Sequence, residues 1–148
     1  MAEEPRGGFA RLRRAVFARH SNPWSAWTRW ASIPLISVPV WNRSWKQAGV
    51  LAVWFALNPV VFPRPAHERA WSTRAMLGEE QWIVDRPRDA ALAVNAAAAA
   101  ASVVAVVGAR YRRPWTTGAA CAVQMALTLV YWEQMARYHD RGSERGGH

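Results

Sequence analysis

Cysteine is almost absent: Cys121 stands alone. A single thiol rules out an intramolecular disulfide and any zinc site built from paired thiolates, and its place inside an apolar run suits a small apolar filler. Acidic residues are also scarce, 10 Asp and Glu against 19 Lys and Arg, for a formal charge of +9. That balance calls for an acidic partner or an anionic membrane surface. The arginines fall in short groups between uncharged runs rather than in one stripe, so a bilayer is favoured and no nucleic-acid partner is expected. No two of the histidines stand three or four residues apart, so no helix carries the paired imidazoles of a common metal motif. The basic start is followed by Asn22-Pro23-Trp24 instead of a hydrophobic core, and a cleavable signal peptide is not expected. No apolar run repeats polar residues through its depth, which argues against a channel.

Tryptophan, by contrast, is abundant, with ten residues. It lowers the mean hydropathy, −0.15, while preferring the membrane–water boundary, so the mean understates the affinity for a bilayer. At 148 residues the composition predicts a single domain. We expect a disordered start over 1–8, a four-span membrane domain over 9–140 and a disordered, glycine-rich tail over 141–148. The predicted fold class is all-α, four transmembrane helices preceded by a short basic amphipathic helix. In that first helix Phe9, Leu12, Val16 and Phe17 recur at helical spacing among Arg11, Arg13, Arg14 and Arg19, as suits an anionic inner leaflet.

Asn22 should cap, and Pro23 start, a helix from about Trp24 to Trp41. Its uncharged part, Trp30 to Asn42, covers 13 residues, about 20 Å at helical rise against a hydrocarbon core of about 30 Å. It spans only if Arg29 snorkels to the inner boundary among Trp24, Trp27 and Trp30. Pro34 and Pro39 should bend it. The second span is Gln47 to Pro63, broken near its end by Asn58-Pro59, where the asparagine offers a partner to the carbonyl that the proline frees. Residues 64–88 read as one long connection, functional or mobile. The third span, Ala90 to Ala109, contains one amide, Asn95, and an alanine run from Ala96 to Ala101 that reads as a packing face. The fourth, Trp115 to Trp132, continues as a polar helix to Asp140. On it Gln124, Thr128, Tyr131, Met135 and Tyr138 form one stripe that should face other helices, where Gln124 would meet Asn95.

Arg43, Lys46, Arg110, Arg112 and Arg113 fall in the turns on one side, and the other basic residues fall opposite. Retention of basic loops then places the protein in the cell inner membrane with both termini cytoplasmic. Trp41, Trp45, Tyr111 and Trp115 mark the outer belt, and Trp24, Trp27, Trp30, Tyr131 and Trp132 the inner one. The chemistry gathers on the cytoplasmic side, a distribution that a pocket opening to the cytoplasm would produce. Glu133 precedes Arg137 by four residues, a favourable order for an ion pair. The preferred reading nevertheless sets Glu133 against Arg29, because an arginine at the hydrocarbon boundary needs a counter-ion.

Three functions fit this face. In the first, His20, Glu133 and His139 are catalytic. His20, His67 and His139, with Glu79 or Glu133, would ligate iron, manganese or zinc, or, without metal, His20 or His139 would act as a general base while Arg29 holds an anionic group. The substrate would be lipid-like or a hydrophobic small molecule. In the second, Asn22, Trp24, Arg29, Asn58, Glu79, Trp82 and Arg137 bind anionic lipid of the inner leaflet, or a hydrophobic molecule, without turnover. In the third, the same residues satisfy one another in a partner for another membrane protein. Assembly or lipid binding ranks ahead of catalysis, and the sequence identifies no cofactor.

The strings HSNPWSAWTR from His20 to Arg29, LNPVVFP from Leu57 to Pro63 and LGEEQW from Leu77 to Trp82 resemble the signature of a prokaryotic family of small membrane proteins defined as a domain of unknown function. The resemblance covers roughly residues 16 to 140. It implies a multi-pass membrane protein and no particular activity, and it picks out His20, Asn22, Pro23, Trp24, Arg29, Asn58, Pro59, Glu79 and Trp82.

Overall fold

Asn22 starts the first complete helix of the computed structural model, which describes residues 19, 21–65, 67–85 and 88–145. The expected basic helix apart from Arg19, the start over 1–8, His20 and residues 146–148 lie outside the described residues. Helix α1 (Pro23–Ala31) has proline in its first turn, and the Asn22 side chain accepts the Trp24 backbone N–H at 2.9 Å. An asparagine cap before a proline is a strong helix start. The helix does not continue to Trp41 as one piece. A 3-10 turn, Ile33–Ile36, and a short helix α2 (Ser37–Asn42) follow instead. Pro34 lacks an amide hydrogen and the chain tightens into shorter-range bonds around it, while Pro39 falls in the first turn of α2, where no intrahelical donor is needed. Arg43 closes the segment in the left-handed region at φ 52°.

Helix α3 (Trp45–Val61) is capped by Ser44, whose Oγ accepts the Gln47 N–H at 3.3 Å. The stretch read as a long connection contains helix α4 (Trp71–Asp85), 15 residues long. Its polar composition and Gly78 conceal an inward stripe of Ser72, Ala75, Met76 and Trp82, at the three- and four-residue spacing of a helix face. Helix α5 (Ala90–Arg110) begins at Asp89, whose carboxylate accepts the Ala91 and Leu92 N–H groups at 3.1 and 3.2 Å. Helix α6 (Pro114–Arg145) runs unbroken for 32 residues, five residues into the stretch read as a tail. Among the described residues the chain is therefore all-helical, with no strand.

Packing divides the molecule along α6. At one end α1, α4 and the second half of α6 share a core in which Ala26, Ala75, Met76, Trp132, Met135 and Ala136 are buried. Trp27 meets Trp30, Trp71 and Trp132, and Trp71 meets Trp132, with ring centroids between 5.6 and 5.9 Å. Three of the four contacts are edge-on, a geometry that aromatic quadrupoles favour. Helices α4 and α6 touch backbone to backbone: a Cβ on Gly78 would lie 1.9 Å from the Met135 carbonyl oxygen.

Helix α5, which runs from this core to the other end, buries only Ala91, Ala98, Ala105, Gly108 and Ala109, Ala91 within the first core. The packing face is thus a seven-residue stripe of small side chains, and of the run Ala96 to Ala101 only Ala98 is buried. The facing Ala120 and Cys121 of α6 complete this contact with Ala105, and Gly108 lets Thr117 approach within 2.8 Å of where a Cβ would stand. Among the described residues one helix, α5, is long and apolar enough to cross a membrane. The remaining segments are 17 residues long (α3), broken at proline (α1 to α2) or more polar (α6) than the four-span expectation required.

Gly78→Ala tests the helix crossing. Alanine favours an isolated helix by about 1 kcal/mol, yet overpacking against the Met135 carbonyl should lower stability by about 1–3 kcal/mol. Gly118→Ala, where nothing lies within 4 Å, should leave stability unchanged or raise it. Thermal unfolding of the two variants checks the contrast.

Candidate functional site

The residues from Ser21 to Ser32 act first as a clamp. Asn58 of α3 is fully buried. Its Oδ1 accepts Ser25 Oγ–H at 2.8 Å and its Nδ2 donates to Thr28 Oγ1 at 2.9 Å. The amide that was expected to serve the carbonyl freed by Pro59 instead joins α3 to α1. Thr28 in turn donates to the Trp24 carbonyl at 2.6 Å. Asn22 Nδ2 donates to the Pro63 carbonyl at 2.9 Å, Thr73 Oγ1 to the Ser21 carbonyl at 2.7 Å, and Trp54 Nε1 to Ser32 Oγ at 3.1 Å. Asn22 and Asn58 thus have their polar atoms engaged within the fold. Trp24 points outward, 71% exposed.

The clamp fixes Arg29 at the edge of a cavity of about 280 Å³, where it meets Trp30, Met76, Glu79, Asn95 and Tyr131. Arg29 Nε donates to the Ser25 carbonyl at 3.2 Å, and Nη2 approaches Met76 Sδ at 3.6 Å. Glu79 accepts Tyr131 Oη–H at 3.3 Å. Desolvation pushes the Glu79 carboxyl above the usual carboxylate range, against the pull of the Tyr131 hydrogen bond and of the Arg29 charge. The charge facing Arg29 is therefore Glu79 and not Glu133. Glu133 accepts Arg137 Nε–H and Trp71 Nε1–H, each at 2.7 Å, and these bonds, that of Arg137 foremost, hold it below the usual range. The physical reason lies in position. Glu133 reaches the surface beside an arginine on its own helix, where water screens it, while Glu79 shares a confined space with Arg29.

The two candidate catalytic groups among the described residues, Glu133 and His139, are not brought together. Six residues apart on α6, Glu133 and His139 occupy different faces, and neither lines the Arg29 cavity. His139 Nδ1 lies 3.5 Å from Gln81 Nε2, His67 is exposed, and His20 is outside the described residues. Among the described residues no three His, Cys, Asp or Glu side chains are grouped to hold a metal ion. Asn95 is exposed and Gln124 half-buried, and the expected amide contact between them is not formed. Trp82 is buried in the core, edge-on to Tyr131, with Nε1 donating to the Asp89 carboxylate at 3.1 and 3.2 Å. Arg137 lines a wider groove of about 1140 Å³ between the ends of α4 and α6 with Glu80, Asp85, Asp140 and Arg141.

Sequence reasoning named Arg29 and Glu79 but left out Tyr131, Trp30 and Met76 as site residues. Tyr131 had a usable signal: it follows Thr128 by three positions on the inward stripe of α6. Met76 had none, because it lies in the stretch read as a loop.

Comparison with known proteins adds one match. A family model covers residues 8–146 and is described as a family of unknown function, DUF6653. No curated protein and no solved structure matches the chain.

Two exchanges separate the competing ion pairs. Arg29→Glu combined with Glu79→Arg should recover much of the stability lost by either single change, whereas Arg29→Glu with Glu133→Arg should be no better than Arg29→Glu alone. Asn58→Ala, which removes the partner of the buried Ser25 hydroxyl and one of the bonds of Thr28 Oγ1, should cost about 2–4 kcal/mol for one orphaned buried hydroxyl and a cavity. Melting curves of the variants decide both points.

Proposed function

We propose, from the premise that the chain belongs to this family of unknown function, that it is a multi-pass inner-membrane protein of four spans, its cytoplasmic-side layer holding a pocket that binds lipid. The observation that carries this reading is where large apolar side chains meet the outside. Val50, Val53 and Leu57 of α3, Val103 and Val107 of α5, and Val123 of α6 are exposed. Only small residues of α5 are buried, whereas the apolar core helix of a water-soluble protein buries its large side chains. A bilayer is the solvent that suits such a surface.

Two further features support it. Trp45, Tyr111 and Trp115 are 91%, 71% and 90% exposed beside Arg43, Lys46 and Arg110 to Arg113, as aromatic and basic residues anchor a membrane boundary. The break between α1 and α2 keeps its backbone bonded, with Ser32 N–H donating to the Thr28 and Arg29 carbonyls at 3.0 and 3.1 Å, Ser32 Oγ to the Thr28 carbonyl at 2.6 Å and Leu35 N–H to the Ser32 carbonyl at 3.0 Å. Irregular backbone at membrane depth requires such cover. The opposite end, with its aromatic core and the Arg29 and Glu79 cavity, then faces the cytoplasm. Binding is favoured over catalysis because the cavity offers paired charges and aromatic walls while Glu133 and His139 stand outside it. A role as an assembly partner is the second reading, supported by the same exposed apolar faces.

Fractionation and thiol labelling test the topology. In a Cys121→Ser background the protein should stay in the membrane pellet after alkaline carbonate. Ser44→Cys should react with an impermeant maleimide from outside, and Glu80→Cys only after permeabilisation. Release by carbonate, or the reverse labelling, would overturn the reading.

A further inference from the structure

The Arg29 cavity is built from almost every element of the fold. Arg29 and Trp30 come from α1, Met76 and Glu79 from α4, Asn95 from α5, and Tyr131 from α6. Its chemistry is graded by position. Arg29 is the one charged residue of α1, Glu79 lies at the middle of the polar helix α4, and Tyr131 stands in mid-α6, two residues before the first charge of that helix, Glu133. Ile33, one helical turn beyond Arg29, and Phe55, about one turn inward from the Asn58 clamp, line the same space on the side of the exposed valines. An occupant with a charged end and an apolar end matches that gradient.

The charges narrow the class. The cavity is lined by one guanidinium, Arg29, and one carboxyl group, Glu79. An occupant with a single charge satisfies one of them and confronts the other with its own sign. An occupant with both charges replaces each interaction at once. A phosphate suits the planar donor fork of arginine. A primary ammonium suits a carboxylate with a phenol oxygen beside it, here Glu79 and Tyr131 joined at 3.3 Å, and the faces of Trp30 and Trp132, which line the same cavity, attract a cation. A quaternary ammonium has no N–H to give Glu79, so the carboxylate favours the primary amine.

We infer that the cavity formed by Arg29, Glu79, Tyr131 and Trp30 takes a phosphoethanolamine group, the headgroup of a zwitterionic phospholipid whose chains leave past Ile33 and Phe55. The inference rests on the membrane reading above and names the ligand class of that pocket. Its phosphate lies at Arg29 and its ammonium at Glu79.

Calorimetric titration of the full chain in a sugar-headgroup detergent tests this, using dihexanoyl phosphatidylethanolamine, the matching phosphatidylcholine and phosphatidylglycerol, and free phosphoethanolamine. The wild-type protein should bind the ethanolamine lipid saturably and at least tenfold more tightly than either other lipid. Glu79→Gln should erase the preference for ethanolamine over choline, and Arg29→Gln should weaken all three lipids by tenfold or more. Free phosphoethanolamine binding as tightly as the lipid would support the headgroup chemistry and assign a soluble source. Much weaker binding of it would support the lipid. Because a variant at a confined charge can unfold, the wild-type series decides: tighter binding of phosphatidylglycerol, equal binding of all headgroups, or no saturable binding overturns the inference. In a protein that resists carbonate extraction, such a result removes the ligand and leaves the membrane reading standing.

Discussion

A single buried amide sets the geometry on which the rest of this protein depends. Asn58 has no exposed surface and both ends of its side chain are engaged, by Ser25 and by Thr28. An amide placed this way is worth more than its two hydrogen bonds, because any slip of α1 against α3 would strand both ends of the amide and the Ser25 hydroxyl away from water. Register follows from that cost. Ser25 and Thr28 are three apart, so the stretch of α1 that grips Asn58 also carries Arg29, one position further round the helix, into the cavity. The serine, threonine and arginine of the first motif are therefore one device, with the asparagine of the second as its anchor.

A second constraint supplies the opposite wall. Gly78 lets α4 lie directly on the Met135 backbone, and the next residue is Glu79. A larger side chain at 78 would lift the helix and withdraw the carboxylate from Arg29 and Tyr131. The tryptophans fill the remaining space at this end, Trp71 bridging from the core to Glu133 through its indole N–H. The polar end is thus held by close contacts of defined direction, the apolar end mainly by a stripe of alanines and one glycine on α5. That difference suits two different surroundings: directional bonds fix a site, while small side chains allow helices to approach where no hydrophobic force drives them together.

Much of this was legible in the sequence because it depends on local chemistry. The cap at Asn22, the start at Pro23, the extent of α5 and the inward place of Tyr131 and Met135 follow from caps, proline and periodicity. What was not legible depends on contacts between distant segments. The stretch from Trp71 to Asp85 carries enough charge and a glycine to read as a connection, because its buried stripe includes serine and threonine, and Thr73 becomes an inward residue only through the Ser21 carbonyl. The choice between Glu79 and Glu133 as the partner of Arg29 was likewise undecidable from spacing, since α4 was missing from the expected fold. Asn58 was recognised as important for the wrong reason: its proline neighbour suggested a local role, and its partners sit 30 and 33 residues away.

The same comparison explains why the two acidic residues differ in kind. Glu133 has its arginine four residues on along one helix, an arrangement that forms and breaks in water with little consequence for the fold. Glu79 faces an arginine from another helix across a cavity, where desolvation opposes its ionisation. A pair so placed is a poor source of stability, since similar packing with apolar side chains serves as well or better. Its presence there makes better sense as chemistry kept ready. For the zwitterionic occupant proposed above, Arg29 and Glu79 already stand in one cavity, so less of the ordering that its binding requires is left to be done.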